Sequence, residues 1–178
     1  MVHDWEIQCA GDLPEKAWGY IKKEGFFSFI IPKKYGGKEF SALAVSSIVG
    51  KLTAASGPLG TTVMVPNSLG PAELLLHYGT EEQKNHYLPR LADGREIPCF
   101  ALTEPTAGSD AGSITASGEV FKKEDGELYV RLNFNKRYIT MAAVSTVMGL
   151  AFKMSDPDNL LGKGEFPGIT VALVPSNS

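Results

Sequence analysis

The interpretation of this chain is decided by CFALTEPTAGSDAGS, residues 99–113. An apolar run typical of a β-strand ends at Thr103 and turns at once into small, hydroxylated and glycine residues. Backbone N–H groups and short donors gathered at such a turn suit an anion, or the polar edge of a flat ring held against the strand. The alternative is a strand followed by a turn that caps only its own backbone. A second stretch, Lys136-Arg137-Tyr138-Ile139-Thr140, favours the binding interpretation.

Composition and charge place the chain among soluble globular proteins. Of its 178 residues, 43% are hydrophobic and 21% are charged, and the formal net charge is −3. Without a long basic run, this charge argues against a nucleic-acid partner. Cysteine and histidine spacing predicts no metal site. No apolar stretch reaches the roughly 20 residues that cross a bilayer and no signal peptide is visible, so we expect a cytoplasmic protein. Peripheral membrane association of the full-length protein stays open.

Residues 1–97 are predicted to form an N-terminal helical domain. A capping box formed by Asp12 and Glu15, with Pro14 in the first turn, predicts one helix start. Ser41 is predicted to cap a second helix. The apolar residues of that helix recur at helical spacing, at Val45, Ile48, Val49 and Leu52.

Two further helical segments contain prolines. The apolar segment 59–78 is interrupted by Pro66 and Pro71, which predicts either one kinked helix or two short ones. A capping box over residues 80–83 predicts the next helix start. We expect that helix to break or restart at Pro89.

From Ile97 onward, short apolar or β-branched runs alternate with Gly, Asp, Asn and Pro clusters. Besides the run that ends at Thr103, the predicted strands are residues 128–134, 138–140, 144–152 and 168–174. This pattern predicts a second domain over residues 98–178, built as an antiparallel sheet or barrel. Because only four residues follow the last strand, we expect this β domain to be incomplete at its C-terminus. The predicted fold class is α+β.

Four segments, taken in order, resemble the acyl-CoA dehydrogenase family. They are residues 31–37 (IPKKYGG), 79–89 (GTEEQK, then YLP), 100–113 and 136–140. Residues 133–140 and 149–157 are most similar to the large bacterial fatty-acid-degradation branch. The resemblance implies an N-terminal helical domain, a middle β-barrel and a C-terminal four-helix bundle, of which this chain covers the first and most of the second.

The resemblance also implies that FAD lies with its isoalloxazine ring against the middle domain. The residues expected to bind it are Phe100, Leu102, Thr103, Gly108, Ser109, Tyr138, Ile139 and Thr140. By resemblance, the Thr103 hydroxyl lies near the pyrimidine end of the ring, Thr140 donates toward N5, and Tyr138 stacks nearby. Ser109 is also expected to contact the coenzyme A moiety of the substrate.

These positions have structural interpretations as well. Phe100 and Leu102 suit a sheet core, the two threonines suit strands, and Tyr138 suits ordinary aromatic packing. We interpret Asp110 as a turn residue that bonds the backbone, and Glu104 as a structural anion partner.

Two residues depart from the family's usual pattern. Phe134 stands where the family commonly has glycine, and Met141 follows Thr140 where the family usually has asparagine. Glycine allows a positive φ and phenylalanine resists it, so we expect the local loop to differ in shape.

The chemistry that the resemblance implies is oxidation of a fatty acyl-CoA to the trans-2-enoyl-CoA, the first step of fatty acid β-oxidation. The family's base is a glutamate of the C-terminal bundle, outside this chain, so we predict no catalytic residue here and an inactive chain. The expected partners are fatty acyl-CoA, an electron-transferring flavoprotein and, in the full-length protein, further copies of itself. Two alternatives stay open: a relative that uses oxygen as acceptor, and a non-catalytic binding or interaction module.

Overall fold

The structure, a computed structural model, describes residues 3–68 and 70–176. These residues divide into two units. The first holds residues 3–68, 70–99 and 141–147, and the second holds residues 100–140 and 148–176. Within the described ranges, no helix combines the length and apolar character that crossing a membrane requires.

The described part of the first unit contains six α-helices. They are α1 (Asp4–Ala10), α2 (Glu15–Lys23), α3 (Ala42–Ala55), α4 (Gly57–Met64), α5 (Pro71–Tyr78) and α6 (Glu81–Ala92). The apolar faces of α1 to α4 meet in a core that includes buried Ile21, Phe27 and Val63. Ser41 caps α3 as predicted, because its hydroxyl accepts a hydrogen bond from Ala44 N at 3.3 Å.

The capping box predicted at Asp12 and Glu15 is wrong. Pro14 is the residue before α2, and no side chain caps that helix. The Asp12 carboxylate instead accepts hydrogen bonds from Leu13 N at 2.6 Å and from Trp18 Nε1 at 2.9 Å. Short polar side chains have several local backbone and side-chain partners, and the spacing alone does not select among them.

The segment 59–78 forms parts of two helices, α4 and α5, and not one kinked helix. Pro66 lies in the turn between them, and Pro71 begins α5. A proline at the first helical position loses no intrahelical hydrogen bond, since that N–H has no partner there. Leu69, within the same segment, lies outside the described residues.

The helix break predicted at Pro89 is wrong. Helix α6 continues through this residue to Ala92, and Asp93 N donates to Pro89 O at 3.2 Å. Proline removes one hydrogen bond of the ladder. Burial of Leu88 and Leu91, on either side of it, favours the continuous helix.

The predicted capping box at the start of α6 is confirmed. Thr80 Oγ1 accepts from Gln83 N at 3.2 Å, and Gln83 Oε1 accepts from Thr80 N at 3.0 Å. The two side chains thus satisfy backbone donors that have no partner within the helix.

We expect Thr80→Ala to lower the free energy of unfolding by about 1 kcal/mol, because one capping hydrogen bond is lost. Urea unfolding followed by circular dichroism measures this change. Ser47→Ala is the control, since the Ser47 hydroxyl donates only to Leu43 O on the exposed side of α3. We expect the control to stay within about 0.5 kcal/mol of the unmodified chain. Equal losses in the two variants would contradict the role of the cap.

Gly37 lies against the main chain of the segment before it. A Cβ at this position would be 1.8 Å from Ile31 O and 2.3 Å from Ile31 C. The same carbonyl accepts a hydrogen bond from Glu39 N at 3.0 Å. Any residue larger than glycine therefore has to displace a carbonyl group that is already bonded.

The second unit is built on a sheet whose first strand begins in the first unit. The strands are β1 (Pro98–Ala101), β2 (Ser117–Lys122), β3 (Leu128–Asn133), β4 (Val147–Ser155) and β5 (Gly168–Pro175). Their order is β1-β4-β2-β3, and β5 also pairs with β4. Strands β2 and β3 form an antiparallel hairpin, with Ser117 opposite Asn133. Strands β2 and β4 are parallel, with Ser117 opposite Lys153.

The predicted antiparallel barrel is therefore wrong, because the sheet formed by the described strands is mixed and is not closed. The chain reverses between β2 and β3. Residues 134–146 then return it so that β4 runs in the same direction as β2. The alternation of apolar residues reports which face of a strand is buried, and it does not report the direction of the neighbouring strand.

The predicted and observed strands also differ at two places: one strand is missing from the prediction, and one predicted strand does not form. Strand β2 was not predicted, because its serine, glycine, glutamate and lysine residues are uncommon in strands. The strand predicted at residues 138–140 is wrong: Tyr138 has φ +58° and Thr140 lies in a turn. Strand β3 is the last in the strand order and is mostly exposed along its length.

Candidate functional site

A buried ion pair joins the two stretches that the sequence singles out. Lys136 Nζ lies 2.8 Å from Glu104 Oε1 and donates to Leu102 O at 3.0 Å. The Glu104 side chain is 1% exposed and that of Lys136 is 4% exposed. Thr115 and Ala116 supply the other donors to the Glu104 carboxylate. Its Oε2 accepts from Thr115 N at 2.6 Å and from Thr115 Oγ1 at 2.7 Å. Its Oε1 also accepts from Ala116 N at 2.9 Å.

Opposing effects set the pKa of Glu104. Burial favours the neutral acid and raises the pKa, whereas the Lys136 ammonium and the donors of Thr115 and Ala116 favour the carboxylate. The hydrogen bonds outweigh burial and lower the pKa of Glu104 from 4.5 to about 2. A carboxylate that stays ionised near neutral pH, with every oxygen bonded inside the protein, is a structural anion.

Acid is expected to destabilise the fold through Glu104. Because the pKa is lower in the folded chain, the unfolded chain binds the proton more readily. The stabilisation is thus complete above about pH 4.5 and is lost as the pH falls toward about 2. Urea unfolding across this window should give a shallower pH dependence for Glu104→Gln than for the unmodified chain. Glu119→Gln, at an exposed carboxylate, is the control, and parallel curves for all three proteins would contradict the assignment.

The backbone also joins the two stretches. Arg137 N donates to Thr103 O at 3.1 Å, next to the bond between Lys136 Nζ and Leu102 O. On the other side of Thr103, Glu104 and Ala107 form a short bridge in which each N–H donates to the other's carbonyl. The end of the apolar run is therefore held on both sides.

Tyr138 follows these attachments in a left-handed conformation, with φ +58°. Such a value is uncommon for a residue other than glycine. The side chain is 78% exposed. The Arg137 guanidinium lies 4.1 Å from the ring centroid and donates to the tyrosine hydroxyl. The aromatic ring is thus presented on the surface of the second unit.

The structure places the predicted FAD-binding residues in two classes of exposure. Those that are half-buried are Phe100, Leu102, Thr103 and Ile139. Those that are exposed are Gly108, Ser109, Tyr138 and Thr140. Ile139 packs against the apolar cluster of Ala101, Ala116, Leu150 and Phe152. Among the described residues, no hydrogen bond joins Gly108 or Ser109 to the stretch 136–140.

The hydroxyls of Thr103, Ser109 and Thr140 are not used by the described part of the chain. None of them has a hydrogen-bond partner there. Unused hydroxyls beside half-buried apolar side chains fit a flat ring with a polar edge, because such a ring needs both donors and apolar contacts. The residues present therefore fit a flavin. By contrast, Asp110 is engaged within its own turn: its carbonyl accepts from Ser113 N, and its carboxylate accepts the Ser113 hydroxyl and not the backbone N–H that the prediction gave it.

The sequence signals neither the hydrogen bonds from Thr115 to Glu104 nor the ion pair between Lys136 and Glu104. Thr115 lies 11 residues from Glu104, and Lys136 lies 32 residues from it. Neither spacing repeats with a helix or strand period. A buried glutamate needs a cation and several donors, so Glu104 was the one available signal that such partners exist.

Comparison with known proteins agrees with the resemblance. The family model described as acyl-CoA dehydrogenase, N-terminal domain, matches residues 1–95, and the middle-domain model matches residues 99–178. A 3-(aryl)acrylate reductase of Clostridium sporogenes is 36% identical over 96% of this chain and 42% of its own length. The CarC subunit of a caffeyl-CoA reductase-Etf complex of Acetobacterium woodii is 36% identical over 77% of this chain and 35% of its own.

A solved structure supports the same assignment. It is an acyl-CoA dehydrogenase complexed with FAD from Bacillus anthracis, with a TM-score of 0.72 and 26% identity, covering 89% of this chain and 24% of that one. The chain spans less than half the length of each of these relatives. With both family models matched in order along nearly its whole length, this chain belongs to the acyl-CoA dehydrogenase family.

Proposed function

We propose that this chain supplies the flavin-facing surface of an FAD-dependent oxidoreductase that acts on the Cα–Cβ bond of acyl-CoA thioesters. The observation that carries the proposal is the attachment of stretch 136–140 to the end of the run at Thr103, through Lys136 and the Arg137 amide. Unused hydroxyls lie in both stretches. The FAD-complexed structure of the family member from Bacillus anthracis supports FAD as the cofactor.

In this proposal, the residues of the chain bind and orient, and the cofactor performs the redox step. Bound FAD supplies the two-electron acceptor or donor. Thr103 and Thr140 donate hydrogen bonds to its polar edge, and half-buried Leu102 and Ile139 contribute apolar surface that excludes water. Ser109 contacts the coenzyme A part of the substrate.

We propose oxidation of a fatty acyl-CoA to the trans-2-enoyl-CoA as the reaction of the full-length protein. The α-carbon loses a proton to a carboxylate base and the β-carbon loses a hydride, so two electrons leave the substrate. The resemblance assigns the base to a domain that this sequence does not include. We therefore expect the purified 178-residue chain to turn over no acyl-CoA.

A second candidate is the reverse reaction, reduction of a 2-enoyl thioester or acrylate. Two relatives at 36% identity, an arylacrylate reductase and a subunit of a caffeyl-CoA reductase, favour it. The same surface serves either direction, because a flavin carries the same electron pair in both. The second relative belongs to an Etf complex, which supports an electron-transferring flavoprotein as the redox partner.

The test uses the full-length protein purified from its native host. A yellow protein that oxidises acyl-CoA with an electron-transferring flavoprotein supports the first candidate, and one that reduces only enoyl or aryl-acrylate substrates supports the second. Hydrogen peroxide formation would identify an oxygen-using relative. A colourless protein that does not take up added FAD would contradict the proposal and favour a binding module.

We expect Thr103→Val to weaken FAD binding by up to about tenfold, which is roughly the contribution of one hydrogen bond. The midpoint of thermal unfolding of the FAD-free protein should not change, since the Thr103 hydroxyl bonds no described residue. Fluorescence titration with FAD measures the affinity. Ser47→Ala in α3 is the control and should bind like the unmodified protein. A weaker complex accompanied by an equally large drop in the unfolding midpoint would contradict a direct contact.

A further inference from the structure

We infer that Glu104 and Lys136 are positioning residues that fix the conformation in which stretch 136–140 meets the flavin, in addition to stabilising the fold. The inference rests on the proposed function, because it concerns how this stretch is presented to FAD. Both side chains are almost fully buried, so neither contacts a ligand directly. They act through the main chain of the residues beside them.

The Glu104 carboxylate has a single orientation in this site. A carboxylate has about four acceptor positions. Four donors occupy them: Oε1 receives Lys136 Nζ and Ala116 N, and Oε2 receives the amide and the hydroxyl of Thr115. With every position used, the carboxylate cannot rotate without losing a bond in a buried environment, which is costly. It therefore locates the Lys136 ammonium within a narrow volume.

The Lys136 ammonium transfers this constraint to the backbone. It donates to Leu102 O at 3.0 Å, while the next residue, Arg137, donates its amide to Thr103 O at 3.1 Å. Two successive residues of one stretch are thus tied to two successive carbonyls of the other. This double attachment sets the register between the two stretches.

The strained residue lies directly after the double attachment. Tyr138 is held at φ +58°, and backbone conformations of this kind cost of order 1–3 kcal/mol unless their surroundings determine them. The Tyr138 ring is exposed, so its own packing does not impose the conformation. The attachment through Lys136 and Arg137 holds the main chain before Tyr138, and half-buried Ile139, which packs against the sheet, holds it after.

The experiment compares FAD affinity and the flavin absorption spectrum in the full-length protein and in Glu104→Gln. Glutamine keeps the size of the side chain and removes its charge. We expect the dissociation constant of FAD to rise about tenfold, with a changed shape of the flavin absorption bands. The matched control is Glu119→Gln, which removes the charge of an exposed pair with Arg131 at 3.6 Å in the same unit. The control should bind FAD as the unmodified protein does.

A second readout needs no bound FAD. Hydrogen exchange of the Arg137 amide should be faster in Glu104→Gln and unchanged in Glu119→Gln, because that amide is protected by its bond to Thr103 O. If Glu104→Gln does not fold, the double variant Glu104→Gln/Lys136→Met, which removes both charges, replaces it. A double variant that also fails to fold overturns the inference, since the pair is then needed for folding itself.

The outcomes separate this inference from the proposed function. An unmodified protein that binds no FAD contradicts the proposed function. If the unmodified protein binds FAD and Glu104→Gln shows only a lower unfolding temperature, with the same affinity, spectrum and Arg137 exchange, the pair is merely structural and the inference is wrong.

Discussion

Replacing Lys136 by methionine is expected to lower the free energy of unfolding by about 3–5 kcal/mol. Methionine leaves the Glu104 carboxylate buried without its cation, and it also leaves Leu102 O without its donor. The loss far exceeds that of a surface pair, because a buried charge has no water to replace its partner. Urea unfolding of the chain near neutral pH, where Glu104 is ionised, measures the change.

Two further variants test the physical reason for this loss. Arg131→Met breaks the exposed pair with Glu119 and should cost no more than about 1 kcal/mol. Adding Glu104→Leu to Lys136→Met removes the stranded charge and should recover part of the stability, since apolar replacements of buried pairs are tolerated. If Lys136→Met costs no more than Arg131→Met, the pair does not stabilise the buried carboxylate.

Gly37→Ala is expected to cost about 3 kcal/mol or to prevent folding of the first unit. The new Cβ would overlap Ile31 O, at 1.8 Å, and main-chain displacement is more costly than the rotation of a flexible side chain. The contact cannot be relieved by rotating a side chain, because the main chain fixes the position of the new Cβ and Ile31 O is itself a main-chain atom. The thermal unfolding midpoint and the yield of folded protein measure the effect.

Gly50→Ala is the matched control for this prediction. Gly50 lies within α3, and a Cβ there would meet no atom within 4 Å. Alanine in a helix interior is favoured over glycine, so this variant should gain about 0.5–1 kcal/mol. The same substitution is thus expected to lower the free energy of unfolding at Gly37 and to raise it at Gly50. Similar effects at Gly37 and Gly50 would contradict the close approach.

Local signals predicted the parts of the fold that short-range bonding determines. The caps at Ser41 and Thr80 are confirmed because a hydroxyl bonds an amide three residues later, whatever the rest of the chain does. The prediction at Asp12 is wrong because a nearby indole and amide compete for the same carboxylate. The break predicted at Pro89 is wrong for a different reason: burial of the residues around it stabilises the helix by more than the one missing hydrogen bond destabilises it.

Strand direction and the candidate site depend on distant residues, and the sequence alone determined less of them. The parallel pairing of β2 with β4 has no signature in the alternation of either strand. Family resemblance identified the stretches around Thr103 and Tyr138. The bonds that join them involve Lys136 and Thr115, whose spacing from Glu104 follows no period. The assignment of individual residues to FAD stays a prediction.

The parallel pairing of β2 with β4 has a consequence during synthesis on the ribosome. The β2–β3 hairpin can form once residue 133 has left the ribosome, but the strand on the other side of β2 includes Lys153, which is made later. Until that segment emerges, one edge of the hairpin is open to water and to other nascent chains. Joining partners so distant along the chain carries an entropic cost of loop closure, so this ladder forms later than the hairpin.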